Sequence, residues 1–263
     1  MIAGLPLDYA QARAAARIGQ RPDERAWLQA HSARSVAALL EAVRASAAAA
    51  TVSGVEARAG ADSIERAFRQ QLRQRIVEVA RWAPQQWRAA VLWLQHLIDL
   101  PALAQLLGAE PPAAWMASDP VLGELARSTP AERRTRLMEG ELAPIVRALA
   151  SAAPGAAPAP LHAALSAWRS GWHARWPDCP ADEHFELGAL ERAVEVHLQR
   201  FVSMPADQTN DARSALAMRA LRSMHRNPGQ PVALFAYLLV VAIDLERLRG
   251  EFARRAIFSQ ARP

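Results

Sequence analysis

The chain contains no lysine: all 31 basic residues among its 263 are arginine, against 26 acids. Without lysine a GxxxxGK[ST] phosphate loop is impossible, and GxGxxG does not occur either. A single cysteine, Cys179, excludes an intrachain disulfide and a multi-cysteine zinc cage. HExxH, GxSxG and CxxC are absent. The longest unbroken apolar stretch, Val232 to Ile243, is 12 residues, short of the ~20 that a spanning helix needs. The segment Met1 to Pro6 has no basic start and no long apolar run, so no signal peptide is predicted. Together these predict a soluble, intracellular protein. Wholesale disorder is excluded by 51% hydrophobic and 22% charged residues. The length suffices for one large domain or two modest ones. The formal charge of +5 is modest. The absence of lysine beside heavy alanine use reads as coding bias rather than selection for guanidinium chemistry.

What is present is helical. Alanine, leucine, arginine, glutamine and glutamate dominate, and no stretch alternates β-branched with polar residues. Asp62-Ser63-Ile64-Glu65 predicts a helix start. Ile64, Phe68, Leu72, Ile76 and Val79 then form its apolar stripe, with Arg69, Gln70 and Arg73 facing water. A second helix is predicted from Gln85 through Leu97, with Trp87, Val91, Leu94 and Ile98 on one stripe. Leu190, Val194, Leu198 and Val202 mark another, and Val232 to Arg255 forms the longest. Prolines 22, 84, 101, 111, 112, 120, 177, 180, 205 and 228 separate the periodic segments. Residues 151–160 (SAAPGAAPAP) form a Pro/Ala-rich break, and 47–61 a loop. The fold class is all-α, divided into a first helical lobe at 1–108 and a second at 109–263.

An internal repeat supports the two lobes. Ile64-Glu65-Arg66-Ala67-Phe68 matches Leu190-Glu191-Arg192-Ala193-Val194. Pro84-Gln85-Gln86 matches Pro228-Gly229-Gln230, and Ile98-Asp99-Leu100 matches Ile243-Asp244-Leu245. The offset grows from 126 at the first motif to 144 and 145 at the others, so the second copy gains about 18 residues between Leu198 and Pro228.

Few constellations carry chemistry. His162, His173 and His184 recur every 11 residues, but Pro177 and Pro180 break that register. Cys179 with His173, Asp178, Glu183 and His184 reads as a polar loop in preference to a metal site. Trp168, Trp172 and Trp176 share one helical face, as core in preference to a partner-binding stripe. The arginines at 133, 134 and 136 and at 69–75 have acids beside them and no nucleic-acid motif, so they read as solvated faces. Asp99 and Asp244 each follow an apolar run, either as buried acids meeting an arginine or as exposed ends. Arg247 or Arg249 could partner Asp244 one turn on. An enzyme site assembled from His96, Asp99 and Glu141 is a weaker alternative.

The stretch Asn227-Pro228-Gly229-Gln230-Pro231-Val232-Ala233-Leu234-Phe235-Ala236-Tyr237-Leu238-Leu239, continuing to Ile243-Asp244-Leu245-Glu246-Arg247-Leu248-Arg249, resembles the C-type central-stalk subunits of V/A-type ATPases. Those proteins are the counterparts of the d-type subunit of eukaryotic V-ATPases. Tyr9-Ala10-Gln11-Ala12-Arg13 with Arg17 resembles the family's opening helix. Two copies of the repeat are visible where the family usually has three lobes. The resemblance implies funnel-like helical lobes and a non-catalytic central-stalk component, a socket joining the central shaft to the membrane proteolipid ring. It implies a peripheral place on the cytoplasmic face of the inner membrane. It also implies no catalytic, cofactor or metal site, no nucleic acid and no small-molecule substrate. Asp99, Asp244, Arg247, Arg249 and Tyr237 are the candidate structural or interface residues. The alternative is a stand-alone helical scaffold or adaptor.

Overall fold

A computed structural model describes residues 6–108, 110–150, 159–205 and 208–260. The described residues form twelve α-helices and two 3-10 turns, with no strand, so the all-α class holds. The helices are α1 (Leu7–Ile18), α2 (Glu24–Ser32), α3 (Val36–Arg44), α4 (Ala61–Trp82), α5 (Gln85–Leu107) and α6 (Gly123–Arg127). They continue as α7 (Pro130–Glu139), α8 (Ala143–Ala150), α9 (Ala159–His173), α10 (Ala181–Ser203), α11 (Thr209–Arg226) and α12 (Val232–Gln260). Several starts are set by side chains that accept orphan amides. Asp23 accepts from Ala26 N at α2, Ser35 from Ala38 N at α3, and Thr129 with Glu132 closes a capping box at α7. The break at 47–61 holds the 3-10 turn Ala49–Val52.

The helices divide into two compact units, the described residues of 1–91 with those of 177–263, and 92–176. This differs from a sequential split at 108. The long carboxy-terminal helix α12 returns to pack on α1, α3 and α4, so chain ends remote in sequence share one interior. In that first unit, Leu39, Leu40, Val43, Val52, Ile64 and Phe68 meet Leu245, Leu248 and Phe252 of α12, with the Phe68 and Phe252 rings 5.8 Å apart. The second unit has its own interior, including Trp93, Leu103, Met116, Leu122, Ile145, Val146, Trp168 and Trp172.

Four helical expectations change. Arg69 and Arg73 are not on the wet face of α4 but 7% and 4% exposed, among its buried residues. Pro101 does not end a helix; α5 runs through it to Leu107. On α10 the buried stripe is Leu187, Leu190 and Ala193, while Leu198 is 44% exposed and Val202 lies outside the residues whose side chains are described. Finally, α5 is long and apolar enough by length and composition to cross a membrane, which the unbroken-run criterion missed because Gln95, His96 and Asp99 interrupt it. Its Trp87, Val91, Trp93, Leu103 and Leu106 are buried in the protein. Of the Pro/Ala-rich break, 151–158 lie outside the described residues, and Ala159 opens α9. Of the segments compared in sequence, 64–68 lies on α4, 98–100 on α5, 190–194 on α10 and 243–245 on α12, while Pro228, Gly229 and Gln230 lie in the turn between α11 and α12.

Candidate functional site

The strongest polar construction lies where the chain ends meet in the first unit. Arg21, in the short link between α1 and α2, donates from Nε and Nη2 to the two carboxylate oxygens of Asp244 at 2.6 and 3.0 Å. Asp244 is therefore a buried acid meeting an arginine, but the partner is Arg21 from the opposite end of the chain, not Arg247 or Arg249. A forked guanidinium on a carboxylate fixes both distance and plane, so it locks the α1–α2 link against α12.

One turn along α12, Arg247 lays its guanidinium over the Trp27 ring, 3.8 Å from the centroid, and its Nη2 lies 3.3 Å from His31 Nε2. His31 Nδ1 is 3.3 Å from Glu251. Arg255 binds Glu251 and also donates to the carbonyls of Ala30, His31 and Ala33 at the end of α2. Burial pushes the Glu251 carboxyl upward, but hydrogen bonds from Arg255 and Arg254 with the nearby His31 and Arg255 charges outweigh it and hold it below its ordinary range. For Arg247 burial dominates and lowers its affinity for the proton. Arg249 bridges Glu65 of α4 and Glu246 of its own helix at 2.8 and 2.6 Å, and these carboxylates override burial to raise it.

The amino-terminal helix is fastened to the α11–α12 turn. Gln11 accepts from Gly229 N at 2.6 Å and donates to the Met224 carbonyl at 3.0 Å. Gly229 has φ +72°, where a side chain is strained. Arg13 stacks on Trp82 at 5.1 Å, and Arg17 pairs with Glu78 at 2.6 Å. Tyr237 is 2% exposed and packs its ring 6.4 Å from Trp82. Burial raises its hydroxyl above the ordinary value, with Arg75 and Arg17 opposing and Glu78 adding to the rise.

Asp99 belongs to the second unit and is 4% exposed there, whereas Asp244, Arg247, Arg249 and Tyr237 belong to the first. That unit does bring His96 and Glu141 together, Nε2 to Oε1 at 3.1 Å. Arg175 also donates to Glu141 and covers the Trp93 face at 3.6 Å. Trp93 and Trp168 donate their indole N–H groups to each other's backbone carbonyls at 2.8 and 3.3 Å. Of the three tryptophans on that face, Trp168 and Trp172 are buried as core and Trp176 is half-buried. Cys179 Sγ lies 3.1 Å from His184 Nδ1, and burial with Glu183 and Asp178 raises the thiol pKa, the opposite of nucleophile activation. No group of three or more His, Cys, Asp or Glu among the described residues is placed to hold a metal.

These arrangements clamp helices to one another. They show how Arg21, Gln11 and Arg255 act, which sequence reasoning missed because the partners lie more than 200 residues away. Compared with known proteins, the chain matches no family model, no curated protein and no solved structure.

Proposed function

We propose that this protein is a non-catalytic central-stalk component of a V/A-type rotary ATPase, a socket between the central shaft and the membrane proteolipid ring. The observation that carries this reading is the convergence of the two segments that resemble the C-type stalk family. Tyr9 to Arg17 and Asn227 to Arg249 lie at opposite ends of the sequence, yet they interlock through Gln11, Gly229 and the helix pair α1–α12. A torque-bearing part needs its helices tied by directional bonds, and the Arg21–Asp244 fork and Arg249–Glu65 bridge supply such ties between α12 and the earlier helices. In this reading the protein works on the cytoplasmic face of the inner membrane and the chemistry of ATP belongs to other components of the complex.

The test is purification of the tagged full chain from its host's membranes in mild detergent, with mass spectrometry of the proteins retained. Recovery of a proteolipid together with shaft proteins is the expected result. A clean protein without them, from cells shown to express the rest of the ATPase, overturns the proposal and leaves a helical adaptor.

A further inference from the structure

Helix α11 buries Leu216, Ala217, Ala220 and Met224 against its neighbours α10 and α12. Its opposite side carries Ala215, Met218, Arg219, Arg222 and Arg226, all exposed. Other long helices match arginines with acids: Arg75 with Glu78, Arg249 with Glu246, Arg254 with Glu251. Arg219, Arg222 and Arg226 make no ion pair or hydrogen bond among the described residues. The only titratable side chains three or four residues from them are one another and His225, and the helix's one acid, Asp211, sits in its first turn. Like charges at these spacings repel and weaken a helix. The helix dipole accounts for cations in the last turn, at 225 and 226, but not for Arg219 nearly two turns earlier. The carboxylates at the turn after α11 are engaged with amides: Glu186 accepts from Asn227 and Asp182 from Gln230.

We propose that this face of α11 is a docking surface for an acidic helix of a partner protein. Arg219 to Arg226 spans about 10 Å, the rise of seven helical residues, so carboxylates at i, i+3 or i+4, and i+7 on a facing helix meet all three guanidinium groups. Forked guanidinium groups suit carboxylates at fixed spacing. Met218, 53% exposed, adds an adaptable apolar contact in the middle of the row. A bilayer is the poorer fit, because a helix lying in the interface needs a broad apolar face and here Met218 is the only large apolar side chain in the row. A nucleic acid is disfavoured by 26 acids against 31 arginines and by a cationic row confined to one short helix face. The inference stands on the charge pattern of α11 and does not depend on which complex contains the protein.

The experiment uses the full chain and two labelled helical peptides of identical composition, read by fluorescence anisotropy at low and at physiological salt. One peptide places glutamates at i, i+4 and i+7 on a single face; the other distributes them around the helix. The one-faced peptide is expected to bind more tightly and to weaken with salt. R219E/R222E/R226E is expected to weaken it on the order of tenfold. R25E/R34E/R58E, the same charge change at exposed arginines elsewhere, is expected to leave it unchanged. If the reversed α11 variant loses its helical circular dichroism, R219Q/R222Q/R226Q carries the same comparison. Equal binding of the two peptides, or equal loss in the control variant, overturns the proposal. So does α11-dependent binding of anionic phospholipid vesicles or duplex DNA without binding of the one-faced peptide.

Discussion

Replacing Arg21 with methionine is expected to destabilise the first unit by about 2–3 kcal/mol. Breaking a buried ion pair from one side costs about 3–5 kcal/mol, because the remaining charge stays unpaired in a poorly solvated place. Here the Arg21 side chain is 24% exposed and that of Asp244 10%, so water reaches part of the pair and the figure is discounted. The two partners are not equivalent. R21M leaves a carboxylate on a helix packed among α1, α3, α4, α10 and α11, whereas D244N leaves a guanidinium on a short link that can turn to solvent. D244N is therefore expected to cost only about 1 kcal/mol, and R21M/D244L less than R21M alone. Urea unfolding by circular dichroism gives the cycle. Hydrogen exchange of the α12 amides flanking Asp244 reports the first unit by itself. Equal costs for the two single variants, or both within about 0.5 kcal/mol of wild type, would refute the buried-charge reasoning.

Two further predictions concern packing and acid. At Gly171 an added Cβ falls 2.5 Å from Trp93 Cζ2, and Trp93 is held by its bond to the Trp168 carbonyl. Gly171→Ala is thus expected to cost about 1–3 kcal/mol by overpacking, seen as a lower melting temperature and altered near-ultraviolet dichroism; an unchanged melt contradicts this geometry. The Glu251 carboxyl is held below its ordinary 4.5. Its contribution is therefore full above about pH 4.5 and lost as pH falls through the lowered folded value. Glu251→Gln should be less stable at pH 7 and lose less between pH 5 and pH 3, and parallel pH–stability curves for the two proteins count against the clamp.

The longer helices were legible because their signals are local, as the apolar stripe of α4 repeats inside one segment. The caps at Asp23, Ser35 and the Thr129–Glu132 box are equally local, but they open short helices that were not singled out in the sequence. The division into units was not legible, because the return of α12 onto α1 and α4 leaves no mark in either segment alone. Asp244 could be suspected as a buried acid from the apolar run before it. Its partner could not, since every arginine near it in sequence was an equal candidate and the fold chose Arg21. Tyr237 stands in the motif as any aromatic would, and only the packing of Trp82 makes it interior.

Sequence patterning places Arg69, Arg73 and Arg133 in water, yet all three are buried, and Arg133 and Arg255 are buried and aimed at helix ends. Arg133 donates to the carbonyls of Leu106, Leu125 and Ser128, gathering the ends of α5 and α6. Arg255 does the same for α2, Arg88 reaches the Ala83 carbonyl at the end of α4, and Arg175 the Gly171 carbonyl in the last turn of α9. Helix ends leave four carbonyls without partners, and a left-handed glycine after the helix is the usual local remedy. Among the described residues only Gly229 has positive φ. Guanidinium groups, three of them from other helices and Arg175 from just past the end of α9, take over some of that work, and a lysine ammonium, a compact point charge rather than a planar fork, would not span three carbonyls as Arg133 does. With no lysine in the chain, the fold uses the planar fork where a point charge would leave carbonyls unpaired.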